Sequence, residues 1–260
     1  MIVAAVITLA ALGLIFGGAL AYASQKFAVE VDPKVEEVRE LLAGANCGAC
    51  GYAGCDQFAE EVVAGNAPVT GCAPAGTEAA NKIAGIMGVE APDTLERQVA
   101  QLKCLGDCNT VKIKHIYDGP QDCRAALMFG GGPIACSFGC VGLGNCVRAC
   151  PTDAITLGEN GLPVIDKDLC IGCSICVKEC PRQVLELVPE TKKHHVSCRN
   201  QDKGKQVREV CARGCIACTL CVKKCPENAI SMVNNVAVID YDKCTNCGTC
   251  VEVCPQKTII

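Results

Sequence analysis

The sequence contains very few aromatic residues. They make up 3% of the 260 residues, and tryptophan is absent. A chain of this length normally buries many large rings, so a single large aromatic core is excluded and we expect several small domains. Few rings are available for stacking on bases, and the formal net charge of −4 shows no basic bias. Nucleic-acid binding is therefore not expected.

Motifs for nucleotide binding and triad catalysis are also missing. No G-x-G-x-x-G sequence follows a predicted strand, and no P-loop is present. The three histidines, His115, His194 and His195, form no triad, and we expect them to be solvated. We therefore predict no catalytic residue and no substrate site on this chain.

Charge is absent from one long stretch, residues 2–23. A helix of this length spans about 33 Å, enough for a hydrocarbon core of about 30 Å, so we predict that residues 1–25 form a single transmembrane anchor. A signal peptide is the alternative, because Ala21-Tyr22-Ala23 resembles a cleavage site. However, no basic residue precedes the stretch, which is longer than a typical signal-peptide core.

The basic residues nearest to this stretch predict its orientation. Lys26, Lys34 and Arg39 follow it, and neither lysine nor arginine precedes it. The positive-inside rule then places the remaining chain on the cytoplasmic side of the inner (cytoplasmic) membrane. The reducing cytosol would also keep thiols available for iron.

The residue in excess is cysteine, with 25 copies. Such a density is typical of disulfide scaffolds or metal proteins. Disulfide scaffolds are short, whereas this chain is long and its cysteines form tight runs that end in proline. Zinc sites are the other alternative, but they use separate C-x2–4-C pairs, often with histidine.

Three cysteine runs share the spacing C-x2-C-x2-C-x3-C-P. They comprise Cys170, Cys173, Cys176 and Cys180, then Cys215, Cys218, Cys221 and Cys225, then Cys244, Cys247, Cys250 and Cys254. Three cysteines on a tight loop can each bind one iron of a cubane, while the fourth starts a segment that leads away. A fourth run, Cys140, Cys146 and Cys150, has Leu143 in place of its second cysteine.

These runs resemble those of bacterial two-cluster ferredoxins, in which the fourth cysteine ligates the other cluster. The resemblance implies crossed ligand sets. They are Cys215, Cys218, Cys221 with Cys254; Cys244, Cys247, Cys250 with Cys225; and Cys170, Cys173, Cys176 with Cys150. For the run with Leu143 we expect Cys136 to supply the missing thiolate, which gives Cys136, Cys140, Cys146 and Cys180.

An internal repeat predicts the domain organisation. Cys150-Pro-Thr-Asp-Ala-Ile155 recurs as Cys225-Pro-Glu-Asn-Ala-Ile230, and a short β pair is predicted after each. The predicted units are the anchor 1–25, a small helical [4Fe–4S] domain 30–92, a connecting segment 93–132 with a short helix at 94–102, module 133–188, a basic linker 189–210 and module 211–260. The fold class is therefore α+β: a transmembrane helix, a small α-helical domain and two tandem two-cluster ferredoxin-like modules.

The N-terminal run differs from the ferredoxin runs. Cys47, Cys50 and Cys55 lie on a loop rich in glycine and alanine, and Cys72 follows. Four such thiolates suit one self-contained [4Fe–4S] cluster, with a zinc knuckle as the alternative.

Five cysteines remain without a place in these runs. They are Cys104, Cys108, Cys123, Cys198 and Cys211. The first three could hold a sixth cluster together with Cys198 or Cys211, or all five could be buried thiols that pack as small hydrophobic groups. The sequence leaves both interpretations open, so we expect five or six [4Fe–4S] clusters. Cys211-x3-Cys215-x2-Cys218 also has the spacing of radical S-adenosylmethionine enzymes, but two of these cysteines belong to a complete ferredoxin run.

The order of these motifs resembles the B-subunit family of the Rnf complexes, which are membrane-bound, ion-translocating ferredoxin:NAD⁺ oxidoreductases. The resemblance rests on the uncharged anchor, on N-C-G-A-C-G-Y-A-G-C from residue 46 and on G-C-V-G-L-G-N-C-V-R-A-C-P from residue 139. It implies an electron carrier that accepts electrons from soluble ferredoxin and relays them to other subunits of the complex. The alternatives are a relay protein of a hydrogenase or formate dehydrogenase, and a cluster scaffold protein.

Basic residues are concentrated between residues 191 and 213. Seven basic and two acidic residues give this segment a charge of +5 with neutral histidines. Because bacterial ferredoxins are typically acidic, the segment could steer them towards the chain. A solvated linker with lysines is the alternative.

Overall fold

The computed structural model describes residues 2–26, 32–90 and 96–260. Its helices are α1 Ile2–Lys26, α2 Pro33–Leu41, α3 Cys55–Val63, α4 Gly76–Met87, α5 Cys123–Met128, α6 Asn145–Arg148, α7 Ile175–Glu179, α8 Gly204–Val210, α9 Leu220–Lys224 and α10 Thr249–Glu252, with a 3₁₀ turn Ala73–Ala75. Its strands are β1 Gln98–Leu102, β2 Ile155–Leu157, β3 Pro163–Ile165, β4 Leu185–Pro189, β5 Ile230–Val233 and β6 Val236–Ile239. This mixture agrees with the predicted α+β class. The predicted boundary at residues 92–93 lies outside the described residues.

Helix α1 contains the uncharged stretch. Large apolar side chains such as Leu14, Phe16 and Leu20 are exposed along it. Within the described parts of the chain, no helix combines the length and apolar character that a membrane crossing requires. The transmembrane anchor therefore stays a prediction.

Helices α2, α3 and α4 form the N-terminal unit around one apolar core. Val38, Phe58, Val62 and Ile83 are each at most 1% exposed in this core. Helix α2 begins as its sequence predicts, because the Asp32 carboxylate accepts a hydrogen bond from the backbone N–H of Lys34 at 2.9 Å. The four cysteines of the N-terminal run lie between the end of α2 and the 3₁₀ turn, and this core holds the helices on which that segment is built.

Two antiparallel hairpins, β2–β3 and β5–β6, follow the repeated Cys-Pro motifs. Ile155 pairs with Ile165 in the first, and Ile230 with Ile239 in the second. The helix predicted at residues 94–102 is wrong for its described part, because Gln98–Leu102 is strand β1 and pairs with β4. Buried Val99 and Val188 face each other in this pair, so tertiary pairing outweighs the local helical pattern.

The repeat extends to the backbone of all four ferredoxin-type runs. The residue two positions after the first cysteine has a positive φ in each: Gly142 (76°), Gly172 (65°), Ala217 (55°) and Asn246 (61°). So does the residue that caps the following short helix: Gly144 (72°), Ser174 (56°), Thr219 (61°) and Gly248 (79°). So does the third residue after the last cysteine: Asp153 (53°), Gln183 (51°), Asn228 (51°) and Lys257 (47°). The run with Leu143 therefore keeps the ferredoxin loop conformation.

Residues 189–210 pack between the modules and do not form a solvated linker. Val196 pairs with Ile259, and the backbone N–H of His195 donates to the carbonyl of Ile260 at 2.8 Å. The expectation that the histidines are solvated is wrong for His195, which is 2% exposed and hydrogen-bonded through Nδ1 to the hydroxyl of Tyr241 at 2.9 Å. Tyr241 packs against the apolar clusters of both modules.

Candidate iron–sulfur centres

Five cavities of similar size are each lined by four cysteines. Their volumes lie between about 330 and 390 Å³. The lining sets are Cys47, Cys50, Cys55, Cys72; Cys123, Cys140, Cys146, Cys180; Cys104, Cys136, Cys198, Cys211; Cys215, Cys218, Cys221, Cys254; and Cys225, Cys244, Cys247, Cys250. We call these cavities, in the order of the lining sets, the N-terminal, module-1b, junction, module-2a and module-2b sites.

The two module-2 sites combine cysteines from both runs of the C-terminal module. Cys254 joins the loop of Cys215, Cys218 and Cys221, and Cys225 joins the loop of Cys244, Cys247 and Cys250. The structure thus brings together the cysteines of each crossed set that the ferredoxin resemblance implies.

In three of the four runs, the cysteine before the proline accepts the same type of hydrogen bond. Its sulfur accepts the backbone N–H four residues later, from Val184 to Cys180 at 3.4 Å, from Ala229 to Cys225 at 3.3 Å and from Thr258 to Cys254 at 3.3 Å. The positive φ in between turns the chain back towards the sulfur. Such N–H donors stabilise thiolate charge and tune the potential of a bound cluster.

A sixth group of thiols, the module-1a site, comprises Cys150, Cys170, Cys173 and Cys176. Burial and, after it, neighbouring thiolates that include Cys173, Cys170 and Cys150 together raise the pKa of Cys176 to about 12. The sulfur of Cys170 accepts the backbone N–H of Ala100 at 3.4 Å. Strand β1, from the segment predicted as a mere connector, thus contributes to this site.

The predicted set Cys136, Cys140, Cys146 and Cys180 does not surround one cavity. Cys136 lines the junction site, and Cys123 takes its place beside the other three. A hydrogen-bond network positions Cys123 there. The side chain of Asn145 accepts the backbone N–H of Cys123 at 2.8 Å and donates to the carboxylate of Asp122 at 2.8 Å. Asn145 begins α6, so the loop that lacks a second cysteine holds the substitute thiol itself.

The N-terminal site lies between α2 and α3. Asn46, with a φ of 45°, accepts the backbone N–H of Cys55 through its side-chain oxygen at 2.9 Å. Burial raises the pKa of Cys72, and the thiolates of Cys55 and Cys47 raise it further. The Asn46 hydrogen bond ties the start of the loop to the cysteine that opens α3.

These donor sets fit [4Fe–4S] clusters chemically. Buried thiols that repel each other as thiolates are stabilised when a cationic iron core shares their charge, and backbone N–H groups already point at several of the sulfurs. Among the described residues, no three cysteine, histidine or carboxylate side chains are arranged to hold one metal ion.

Cysteines of adjacent sites interact with each other, and these interactions order the sites in a series. Cys47 of the N-terminal site contributes to the raised pKa of Cys173 in module 1a, after burial. Cys146 of module 1b likewise acts on the pKa of Cys176 in module 1a. The backbone N–H of Cys140 donates to the sulfur of Cys104 at 3.4 Å, which connects module 1b to the junction site.

Four stretches of the chain match known iron–sulfur families. A family described as "Putative Fe-S cluster" matches residues 42–74, and a "4Fe-4S dicluster domain" matches residues 214–258. Families described as "4Fe-4S binding domain" match residues 162–185 and 139–156. The chain therefore carries several [4Fe–4S] clusters, as predicted.

Similar proteins of known type identify the family of the whole chain. The B subunit of the Na⁺-translocating ferredoxin:NAD⁺ oxidoreductase complex of Acetobacterium woodii is 45% identical over 89% of this chain and 69% of its own length. The B subunit of the proton-translocating ferredoxin:NAD⁺ oxidoreductase complex of Clostridium ljungdahlii is 48% identical over 90% of this chain and 83% of its own length. The B subunit of the ion-translocating oxidoreductase complex of Methanosarcina acetivorans is 41% identical over 100% and 98%.

This chain belongs to the family of Rnf B subunits. The family resemblance found in the sequence is therefore confirmed, as is its assignment to an oxidoreductase complex. The family matches cover both ferredoxin modules and the N-terminal site, but none of them reaches Cys104, Cys123, Cys136, Cys198 or Cys211.

Proposed function

We propose that this protein accepts single electrons from reduced soluble ferredoxin and relays them to other subunits of a membrane-bound, ion-translocating ferredoxin:NAD⁺ oxidoreductase. The observation that carries the proposal is the series of four-cysteine sites along one chain of the Rnf B-subunit family. Each [4Fe–4S] cluster supplies reversible one-electron chemistry when bound. The protein holds the thiolates, donates N–H groups to the sulfurs and limits access of water.

The proposed ligands are the cysteines that share each site. The N-terminal, module-1a, module-2a and module-2b sets are those expected from the sequence, and Cys123 replaces Cys136 in the module-1b set. We further propose that α1 anchors the chain in the cytoplasmic membrane with the cluster domains on the cytoplasmic side, because Lys26 ends the helix and Lys34 and Arg39 follow it.

The basic segment is the proposed contact with ferredoxin. Lys203, Lys205 and Arg208 lie on and beside α8 and are exposed there. Lys193 is also exposed, and its backbone N–H donates to the side chain of Asn246 in the module-2b loop. Lys192 differs from them, because its ammonium donates to the carbonyl of Cys244 at 2.8 Å and so supports the module-2b loop. An acidic partner would therefore meet the other basic members of the segment next to the cluster modules.

The test is the double variant Lys203→Glu and Lys205→Glu. Its reduction by acidic ferredoxin should slow several-fold at low salt and approach the wild-type rate at high salt, since the Debye length is about 10 Å at 0.1 M. Reduction by a small uncharged donor should not change. The matched control, Lys34→Glu with Lys82→Glu, changes the net charge equally on the N-terminal unit. If reduction by ferredoxin slows only in the control variant, ferredoxin docks on the N-terminal unit and the proposed docking at α8 is wrong.

A further inference from the structure

Four cysteines from four separate segments surround the junction site. Cys104 follows β1, Cys136 precedes the first ferredoxin loop, Cys198 lies between the modules and Cys211 follows α8. The cavity has a volume of about 370 Å³, the same as the ferredoxin-type module-2a site. No ferredoxin spacing connects these cysteines, so the site arises only when the segments fold together.

All four thiols of the junction site are buried, whereas each of the other five sites has at least one partly exposed cysteine. They are 7%, 7%, 8% and 9% exposed, in chain order. Because these four thiols line one cavity, they form one set of neighbouring buried thiols rather than four isolated ones.

Hydrogen-bond donors already point at three of these sulfurs. The backbone N–H of Cys140 donates to Cys104 at 3.4 Å. Asn200, which is 2% exposed, donates twice, from its backbone N–H to Cys198 and from Nδ2 to Cys136, both at 3.4 Å. The lengths match the N–H···S contacts of the ferredoxin-type sites. The buried side-chain amide of Asn200 therefore donates a hydrogen bond to this group of thiols.

Three basic residues line the same cavity. They are Lys103, Arg199 and Arg213. Lys103 is paired with Glu186, which offsets part of this positive charge. The remaining positive charge favours four thiolates around an iron core.

We propose that Cys104, Cys136, Cys198 and Cys211 bind a sixth [4Fe–4S] cluster, and that Asn200 positions two of its ligands. This cluster joins the two ferredoxin modules, because the backbone N–H of Cys140 in module 1b donates to Cys104, and Gly214, which precedes Cys215 of module 2a, lines the same cavity. The proposal rests on the proposed relay and deepens it by completing its series of sites. Cys108 lines none of the five cavities that are lined by four cysteines, so it is left out of the proposed ligand sets.

The test compares ligand variants of the anaerobically purified full-length chain. Changing Cys136 and Cys198 together to serine removes two ligands and should lower the iron content by about four atoms per chain, with sulfide falling in parallel. The matched control, Cys108→Ser, should keep all of its iron. If the double variant keeps the wild-type iron content, the site binds no cluster.

A second variant separates cluster binding from folding. Asn200→Asp keeps the side-chain shape but replaces the N–H donor with negative charge, so one redox component should shift to a lower potential with unchanged iron content. A tenfold change in the equilibrium constant for the reduction of that cluster corresponds to about 59 mV for a one-electron step. Unchanged potentials of all components would contradict the role of Asn200. Neither readout depends on ferredoxin, so failure here is distinguishable from failure of the proposed electron transfer.

Discussion

At the scale of single residues, the proposed ligand that sequence spacing could not find is Cys123, which lines one cavity with Cys140, Cys146 and Cys180. Leu143 marked the run as incomplete, and Cys136 was the plausible neighbour because it lies four residues before Cys140. The structure replaces it with a cysteine farther away in sequence, held by Asn145 and Asp122. Spacing reveals ligands that share a loop, but it carries no signal for a thiol that tertiary hydrogen bonds bring in.

His195 supplies a prediction on pH. Burial, followed by the charges of Lys167 and Lys103 and by the neighbouring His194, lowers its pKa to about 4. Tyr241, its hydrogen-bond partner, has a raised pKa because of burial and Glu186. The unfolded chain takes up a proton on this histidine below about pH 6.5, whereas the folded chain does so only near pH 4. The folded state should therefore lose stability as the pH falls through this window, on the order of 3 kcal/mol in total.

The measurement is the temperature at which the cluster absorbance is half bleached, at a series of pH values from neutral down to mildly acidic. The His195→Gln variant should start less stable but show a flatter decline than the wild type below about pH 6.5. Parallel declines in the two proteins would mean that His195 does not contribute to the acid sensitivity.

At the scale of elements, the repeat in the sequence predicted both hairpins and the four cysteine loops. It could do so because each loop is a local structure with positive φ at fixed positions, as in Gly172 and Asn246. Strand β1 was not predictable in this way. Its partner, β4, begins at Leu185, far along the chain, and the alternation within Gln98–Leu102 is too short to outweigh a helical pattern.

Helix α1 is predicted to attach the chain to the membrane. A chain lacking residues 1–25 should be soluble and brown with its iron content unchanged, because the cysteines of all six sites lie outside these residues. The full chain should need detergent and sediment with membranes. Loss of colour in the truncated protein would show that α1 is part of the folded core instead.

At the scale of the whole molecule, the segments interpreted as a connector and a linker hold the modules together. Val111 pairs with Cys211, and Ile113 pairs with Ile134. The buried Asn200 and Cys198 lie at the same junction. The sequence predicted two modules because each repeats a known pattern. The contact between the modules is formed by residues outside the repeat, which the pattern could not predict.

The six proposed sites of four cysteines form one series along this chain, and the total iron and sulfide content tests all six at once. Iron and acid-labile sulfide should be measured on the anaerobically purified full-length protein, with zinc determined on the same sample. If all six sites bind [4Fe–4S] clusters, we expect about 24 iron and about 24 sulfide per chain with negligible zinc, and reduced-state EPR signals that broaden through coupling between neighbouring clusters. A content of about 20 irons would mean that one of the six sites binds no cluster, and stoichiometric zinc would mean that a site does not carry electrons.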